Sequence, residues 1–324
     1  MPPRALVAAL FLCAALHLDA CPAAAQGVRV HLERVGLEAM PRLKAYVTVT
    51  EPDGTVVTSR RASDFRLIID GKEISQGDKM AFFERAKEPV YVVAVVQVSP
   101  AMEPALDAVK QGLRKVADSL TNIPSARMGV LAYAGSVQRL LDGGTAAEVG
   151  AALSRLAIEQ DAPPEVRMLE SLRVAMDILR GQERGRRKIV LLFSDGIDEK
   201  LDKEAFNQVG QKAAQEGIVI STIGYGPFEP GRLKSLIELS RTSGGTARGC
   251  KSIDEIGGRF ESFVQELLRQ YVIFFPPMGG DNQEHAVQVR LVDAKAPPSP
   301  AIRVVLPVVE GHKPLKPAGG CSWF

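Results

Sequence analysis

Val90-Tyr-Val-Val-Ala-Val-Val-Gln-Val-Ser-Pro-Ala-Met102 and Lys188-Ile-Val-Leu-Leu-Phe-Ser-Asp-Gly196 decide how this chain folds. Each is an apolar run of strand length that stops at a polar turn, and neither alternates cleanly with polar residues. That pattern belongs to strands buried on both faces. Between them, Leu106, Val109, Leu113, Val116 and Leu120 recur at three- and four-residue steps, which predicts an amphipathic helix over 104–120 with Pro104 in its first turn. Strands are expected at 128–133, at 137–141 on an edge and at 218–224. Helices are expected through Leu169 to Leu179, over 205–215, near 233–239 and over 253–271. Strands alternating with helices of this length predict an α/β fold with a doubly wound, mostly parallel sheet covered on both sides. The polar ends of the two runs then meet at one rim, outside the carboxyl ends of the strands, where such sheets bind ligands.

Working outward, the flanks change character. Val28-Arg-Val-His-Leu, Lys44-Ala-Tyr-Val-Thr-Val-Thr50 and Phe65-Arg-Leu-Ile-Ile-Asp-Gly71 alternate apolar with polar residues, and Asp53-Gly54 and Asp70-Gly71 carry turn chemistry. After the last helix, Tyr271-Val-Ile-Phe-Phe275, Ala286-Val-Gln-Val-Arg-Leu-Val292 and Ile302-Arg-Val-Val-Leu306 return to the strand pattern. The predicted organisation is an N-terminal β module over 26–87, the α/β domain over 88–270, and C-terminal strands over 271–308 that complete the module. The α/β domain is thus inserted in a β-sandwich-like unit, and 309–324 form a loose tail.

The first 25 residues read as an export signal. Arg4 is followed by an apolar stretch to Leu18 and by Ala23-Ala24-Ala25 before Gln26. Leu18-Asp-Ala-Cys21 also has the outline of a lipidation box, with Asp19 a poor fit, so a lipid anchor at Cys21 is the lesser alternative. The mature chain is expected in a periplasmic or extracellular compartment. There Cys250 and Cys321 are the remaining cysteines and could pair, although spacing alone cannot supply the geometry of a disulfide. No other stretch approaches the roughly 20 apolar residues of a membrane span. Forty basic against 38 acidic residues leave a net charge of +2, and no basic field points to nucleic acid.

The two opening runs, Ile218-Val-Ile-Ser-Thr-Ile-Gly-Tyr-Gly226 and Leu236-Ile-Glu-Leu-Ser-Arg-Thr-Ser-Gly-Gly245 together resemble the von Willebrand factor type A family. The flanks Val47-Thr-Val-Thr-Glu-Pro-Asp-Gly54 and Asp64-Phe-Arg-Leu-Ile-Ile-Asp-Gly71 are similar to those of a bacterial exported subgroup. The resemblance implies a metal site built from Asp-x-Ser-x-Ser, a loop Thr and an Asp-Gly, often completed by a partner's carboxylate. Carried onto this chain, those positions are Gln97, Ser99, Ala101, Val166 and Asp195, of which Ser99 and Asp195 retain the expected donors. An amide in place of a carboxylate forfeits about 4 kcal/mol of attraction for each unit charge at about 4 Å and an effective dielectric of about 20. The expectation is no metal and no other cofactor. Weak Mg²⁺ binding through Ser99 and Asp195, helped by Asp198 or Glu165, is the alternative.

Enzyme chemistry finds no support in the motifs. Gly224-Tyr-Gly226 runs into Pro227 rather than a helix, and no nucleophile elbow or metal-binding His pair is present. His31, His285 and His312 read as exposed fillers, and Asp195 with Asp198 and Glu199 reads as the charged start of a helix. Asp195-Gly196 could equally be an ordinary strand-end turn. The leading expectation is a non-enzymatic, exported interaction module. It would present Gln97, Ser99, Pro100, Ala101, Met102, Pro163, Pro164, Glu165, Val166, Asp195, Gly196 and Asp198 to a protein partner. A structural component of the cell envelope is the alternative, with a metal-dependent binder or a hydrolase behind it.

Overall fold

The computed structural model describes residues 28–52, 54–86, 88–163, 165–182, 186–197, 203–226, 233–292 and 297–312. The leader with Cys21, the tail with Cys321, and Pro164 and Asp198 of the expected rim lie outside them.

The chain opens with β1 (Arg29–Gly36), β2 (Arg42–Thr50), β3 (Phe65–Ile69), β4 (Lys72–Gln76), β5 (Lys79–Phe82) and the short α1 (Phe83–Ala86). The α/β part follows as β6 (Val90–Gln97), α2 (Leu106–Leu120), β7 (Arg127–Tyr133), β8 (Val137–Gly144), α3 (Ala146–Ser154) and α4 (Met168–Arg180). It continues with β9 (Arg187–Ser194), α5 (Lys203–Gln215), β10 (Ile218–Tyr225), α6 (Lys234–Ser243), β11 (Ala247–Cys250) and α7 (Asp254–Leu268). β12 (Tyr271–Pro277), β13 (Glu284–Leu291) and β14 (Ile302–Val305) close the chain.

The central sheet has six strands in the order β11-β10-β9-β6-β7-β8, parallel except for the edge strand β8. Alternation along the strands sorts the core. Val92, Ala94 and Val96 pack with Val109, Leu113 and Phe260 beneath α2, α3 and α7, while Tyr91, Val93 and Val95 pack with Leu172, Met176 and Phe206 beneath α4, α5 and α6. Both faces are covered, which is why β6 and β9 read as near-continuous apolar runs. β6 sits where the strand order reverses, with β7 on one side and β9 on the other, so their carboxyl ends frame the crevice of the sheet.

The flanking strands form two four-stranded antiparallel sheets, β1-β2-β12-β5 and β14-β13-β3-β4. Strands from before and after the α/β part pair directly, Tyr271 with Val47 and Val289 with Leu67. Leu43, Ala45, Val47 and Val49 of β2 turn into an apolar core shared with Phe65, Leu67, Val287 and Val289 of the other sheet. The opposite face of β2 carries Lys44, Tyr46 and Thr48, all buried, and it meets the α/β part. Among the described residues no helix is long and apolar enough to cross a membrane.

Several boundaries differ from expectation for stated reasons. The helix foreseen over 104–120 is a 3-10 segment, Pro100–Ala105, followed by α2, because Pro100 and Pro104 lack the N–H groups that α-helical pairing requires. The last helix ends at Leu268, and Tyr271 already pairs in β12. The helix α3 was not foreseen: it is short, with Val149, Ala152 and Leu153 as its buried residues, too few turns for a periodicity to show. At the end of α6, Gly244 takes the left-handed φ of +82° and lies so close to β1 that a Cβ would stand 2.9 Å from the Glu33 carbonyl oxygen.

Candidate functional site

The rim at the crevice is built from the ends of β6, β7 and β9. Parallel pairing places Val96 opposite Phe193 and Gln97 opposite Tyr133, so the next residues of each strand converge. Gln97, 2 % exposed, occupies the centre. Its carboxamide oxygen accepts the Ser194 hydroxyl at 2.8 Å, the Asp195 backbone N–H at 3.1 Å and, more distantly, the Tyr133 hydroxyl at 3.4 Å. Its nitrogen donates to the Ser99 hydroxyl at 2.9 Å.

Beside it, Ser194-Asp195-Gly196 makes a compact turn. The Asp195 carboxylate accepts the Ile197 N–H at 2.9 Å, the Ser194 hydroxyl oxygen accepts the Gly196 N–H at 3.0 Å, and Gly196 has a φ of +74°. Asp195 is itself buried. The loop before α4 closes the third side. The Glu159 N–H donates to the Val98 carbonyl at 2.9 Å, and Arg167 donates from its backbone to Ala134 and from Nε to the Gly135 carbonyl at 2.7 Å. Pro163 covers Gly135 so closely that a Cβ there would lie 2.4 Å from the proline ring.

The expected rim residues therefore come together but divide in two. Pro100, Ala101, Pro163 and Glu165 are exposed, with Gly196 half-buried. Gln97, Ser99 and Asp195 lie beneath them. Two expectations of surface contact are corrected: Met102, 1 % exposed, belongs to the core under α2, and Val166 belongs to the core under α4. Met102 turns inward because the 3-10 segment repeats every three residues, which puts Met102 and Ala105 on the buried side and leaves Pro100 and Ala101 outward. Tyr133 and Arg167 were not singled out individually as site residues; their signal was the end of an apolar strand and a basic residue just before a helix.

The donor set does not fit an octahedral Mg²⁺. That ion needs oxygen lone pairs at about 2.0–2.1 Å. Here the Gln97 oxygen faces O–H and N–H donors, the Ser99 oxygen faces the Gln97 amide N–H, Ala101 has no donor atom and Val166 is core. Among the described residues no group of three or more His, Cys, Asp or Glu side chains is placed to hold a metal. Cys250 is fully buried at the end of β11, where burial above all raises its thiol pKa to about 11; the suggested pairing with Cys321 lies outside the described residues.

The profile of the von Willebrand factor type A domain matches residues 92–249. The chain carries a von Willebrand factor type A domain. That match runs from inside β6 into β11 and takes in all three strand ends of the rim. Among solved structures, a von Willebrand factor type A protein from Catenulispora acidiphila is similar at 14% identity and a TM-score of 0.48, covering 86% of this chain and 73% of that one. The pilus adhesin SpaC from Lactobacillus rhamnosus GG is similar at 10% identity and 0.46, covering 87% of this chain and 47% of that one. The conserved hypothetical protein BatB from Bacteroides thetaiotaomicron is similar at 16% identity and 0.43, over 55% of this chain and 98% of its own. No curated protein matches the chain.

Proposed function

We propose that this protein is an exported, non-enzymatic interaction module whose von Willebrand factor type A domain binds a protein partner through the rim, without a bridging cation. The observation that carries the reading is the layering of the rim. A hydrogen-bonded layer of Gln97, Ser99, Ser194 and Asp195 supports an outer layer of Pro100, Ala101, Pro163, Glu165 and Arg167. Two prolines and an alanine give a stiff surface that loses little conformational entropy on binding, and the flanking charges give orientation. Export is supported by the leader pattern of 1–25, and the paired flanks of 26–87 and 271–308 form the module from which the domain projects.

Proximity labelling in the exporting cell, followed by capture with purified protein, tests this. Pro100→Asp and Pro163→Asp should each weaken capture of the labelled partner while the fold persists by circular dichroism. Undiminished capture by both variants would remove this face from the function, and stable self-assembly of the purified chain would favour the structural alternative.

A further inference from the structure

Gln97 has one oxygen and one nitrogen to offer, and both are committed inside the rim. Its orientation is dictated by its neighbours: the Asp195 backbone N–H can only donate, so the atom facing it must be the amide oxygen. That places the nitrogen against Ser99, whose hydroxyl makes no cap to the following 3-10 segment and instead accepts from the amide. One side chain thus joins the end of β6 to the end of β9, to the turn after β9 and to its own following loop, with Tyr133 of β7 alongside. All of this is shielded from water, where an unmade hydrogen bond is costly.

A divalent ion at such a confluence would draw lone pairs inward and leave the donors facing away. The wiring here has the opposite polarity, because N–H and O–H groups converge on a single carbonyl oxygen. We propose that the Gln97 carboxamide does for this rim the organising work that a cation would otherwise do, which fixes the rim in one arrangement and makes it indifferent to divalent metals. This rests on the reading of the rim as the interaction surface and specifies its regulation: the surface is set by folding and is not gated by an ion.

Calorimetry and thermal denaturation of the full mature chain with Mg²⁺, Mn²⁺ or excess EDTA, combined with amide exchange at Asp195, test the proposal. The wild type should show no saturable heat of binding and the same Tm in all three conditions. Gln97→Met, similar in volume but unable to pair, should speed exchange of the Asp195 N–H on the order of tenfold, as expected for one lost hydrogen bond, and added Mn²⁺ should not reverse it. If that variant does not fold, Ser194→Ala, which deletes one donor to the same oxygen, should raise exchange at Asp195 in the same direction. Saturable Mg²⁺ or Mn²⁺ binding by the wild type that Asp195→Asn abolishes would overturn the proposal, as would unchanged exchange in the variant that folds. These readouts do not involve the partner, so failure here is distinct from failure of the rim variants in capture.

Discussion

His285 is the residue whose environment departs most from its sequence reading. It is 6 % exposed, and its two ring nitrogens stand 2.7 Å from Asp70 and 2.8 Å from Asp281. Ionised carboxylates only accept, so these two contacts favour the ring that carries a proton on both nitrogens. Burial opposes the charge, but the bonds to Asp281 and Asp70 outweigh it and raise the pKa of His285. Asp70 is held low chiefly by the Ala286 N–H and then by His285, with Arg303 adding to the effect, and Asp281 is held low chiefly by His285. A raised histidine stabilises fully below its unfolded pKa, near 6.5, and that contribution is lost as pH rises through the folded value. The depressed carboxylates contribute above their unfolded values and lose that contribution as pH falls through the lowered ones. Urea denaturation of the wild type should therefore show declining stability above about pH 6.5, and His285→Gln should flatten that decline. Equal slopes for the two proteins would assign the pH dependence elsewhere. Only half of this environment lay near in sequence: Asp281 is four residues from His285, whereas Asp70 follows the end of β3 and reaches it only through strand pairing. Gln97 differs: its departure from a ligand was legible in the sequence, whereas its part in joining three strand ends needed the register that sets it beside Tyr133 and Ser194.

Element by element, legibility followed length and periodicity. β6, β9, β10 and the long helices α2, α4 and α7 declared themselves through runs or steps of buried residues. Short β4 and β5 did not, since they have no fully buried position, and β11 did not because one of its two buried residues is Arg248, which breaks the apolar pattern. Packing between elements was less legible still. In α2, Gly112 lies against Phe260 of α7, where an added Cβ would fall 2.2 Å from the ring, and Phe260 stacks on Phe193 with centroids 6.2 Å apart. A helix interior ordinarily gains about 1 kcal/mol when glycine becomes alanine. Here the ring has no room to move, because Phe260 is fully buried, so overpacking of roughly 1–3 kcal/mol should win. Gly112→Ala is expected to lower stability in chemical denaturation; a gain would mean that α2 and α7 can separate freely. The close approach therefore explains a glycine that helix propensity alone would disfavour.

Across the whole molecule, two of the three strands that carry the rim, β6 and β9, are each tied at their opposite ends to the β module by charge. Glu88, just before β6, accepts from Lys44 at 2.8 and 3.0 Å and also from the Tyr46 hydroxyl. Arg187, the first residue of β9, pairs with Glu33 of β1, and its guanidinium lies 4.8 Å from the centre of the Phe83 ring. His31 adds a bond of 3.0 Å to the Gly244 carbonyl at the end of α6. The polar face of β2 is thus a buried junction, although alternation in the sequence suggested a face open to water. Glu33 shows the balance of forces: burial pushes its carboxyl pKa up, and the Arg187 charge, helped by His31 and by bonds from Gln270 and Arg187, brings it below the ordinary value. Such a pair does not guarantee a net gain over apolar packing, because desolvation offsets much of the attraction. What it does guarantee is a penalty for removing one half. Glu33→Gln leaves the Arg187 cation buried without its carboxylate and should cost about 3–5 kcal/mol in urea denaturation. The double variant Glu33→Met with Arg187→Met removes both charges and should recover most of that loss. If the double variant is as unstable as the single one, shape rather than charge joins the module to the domain. If the single variant costs nothing, the junction is open to water and the two units are free to move apart.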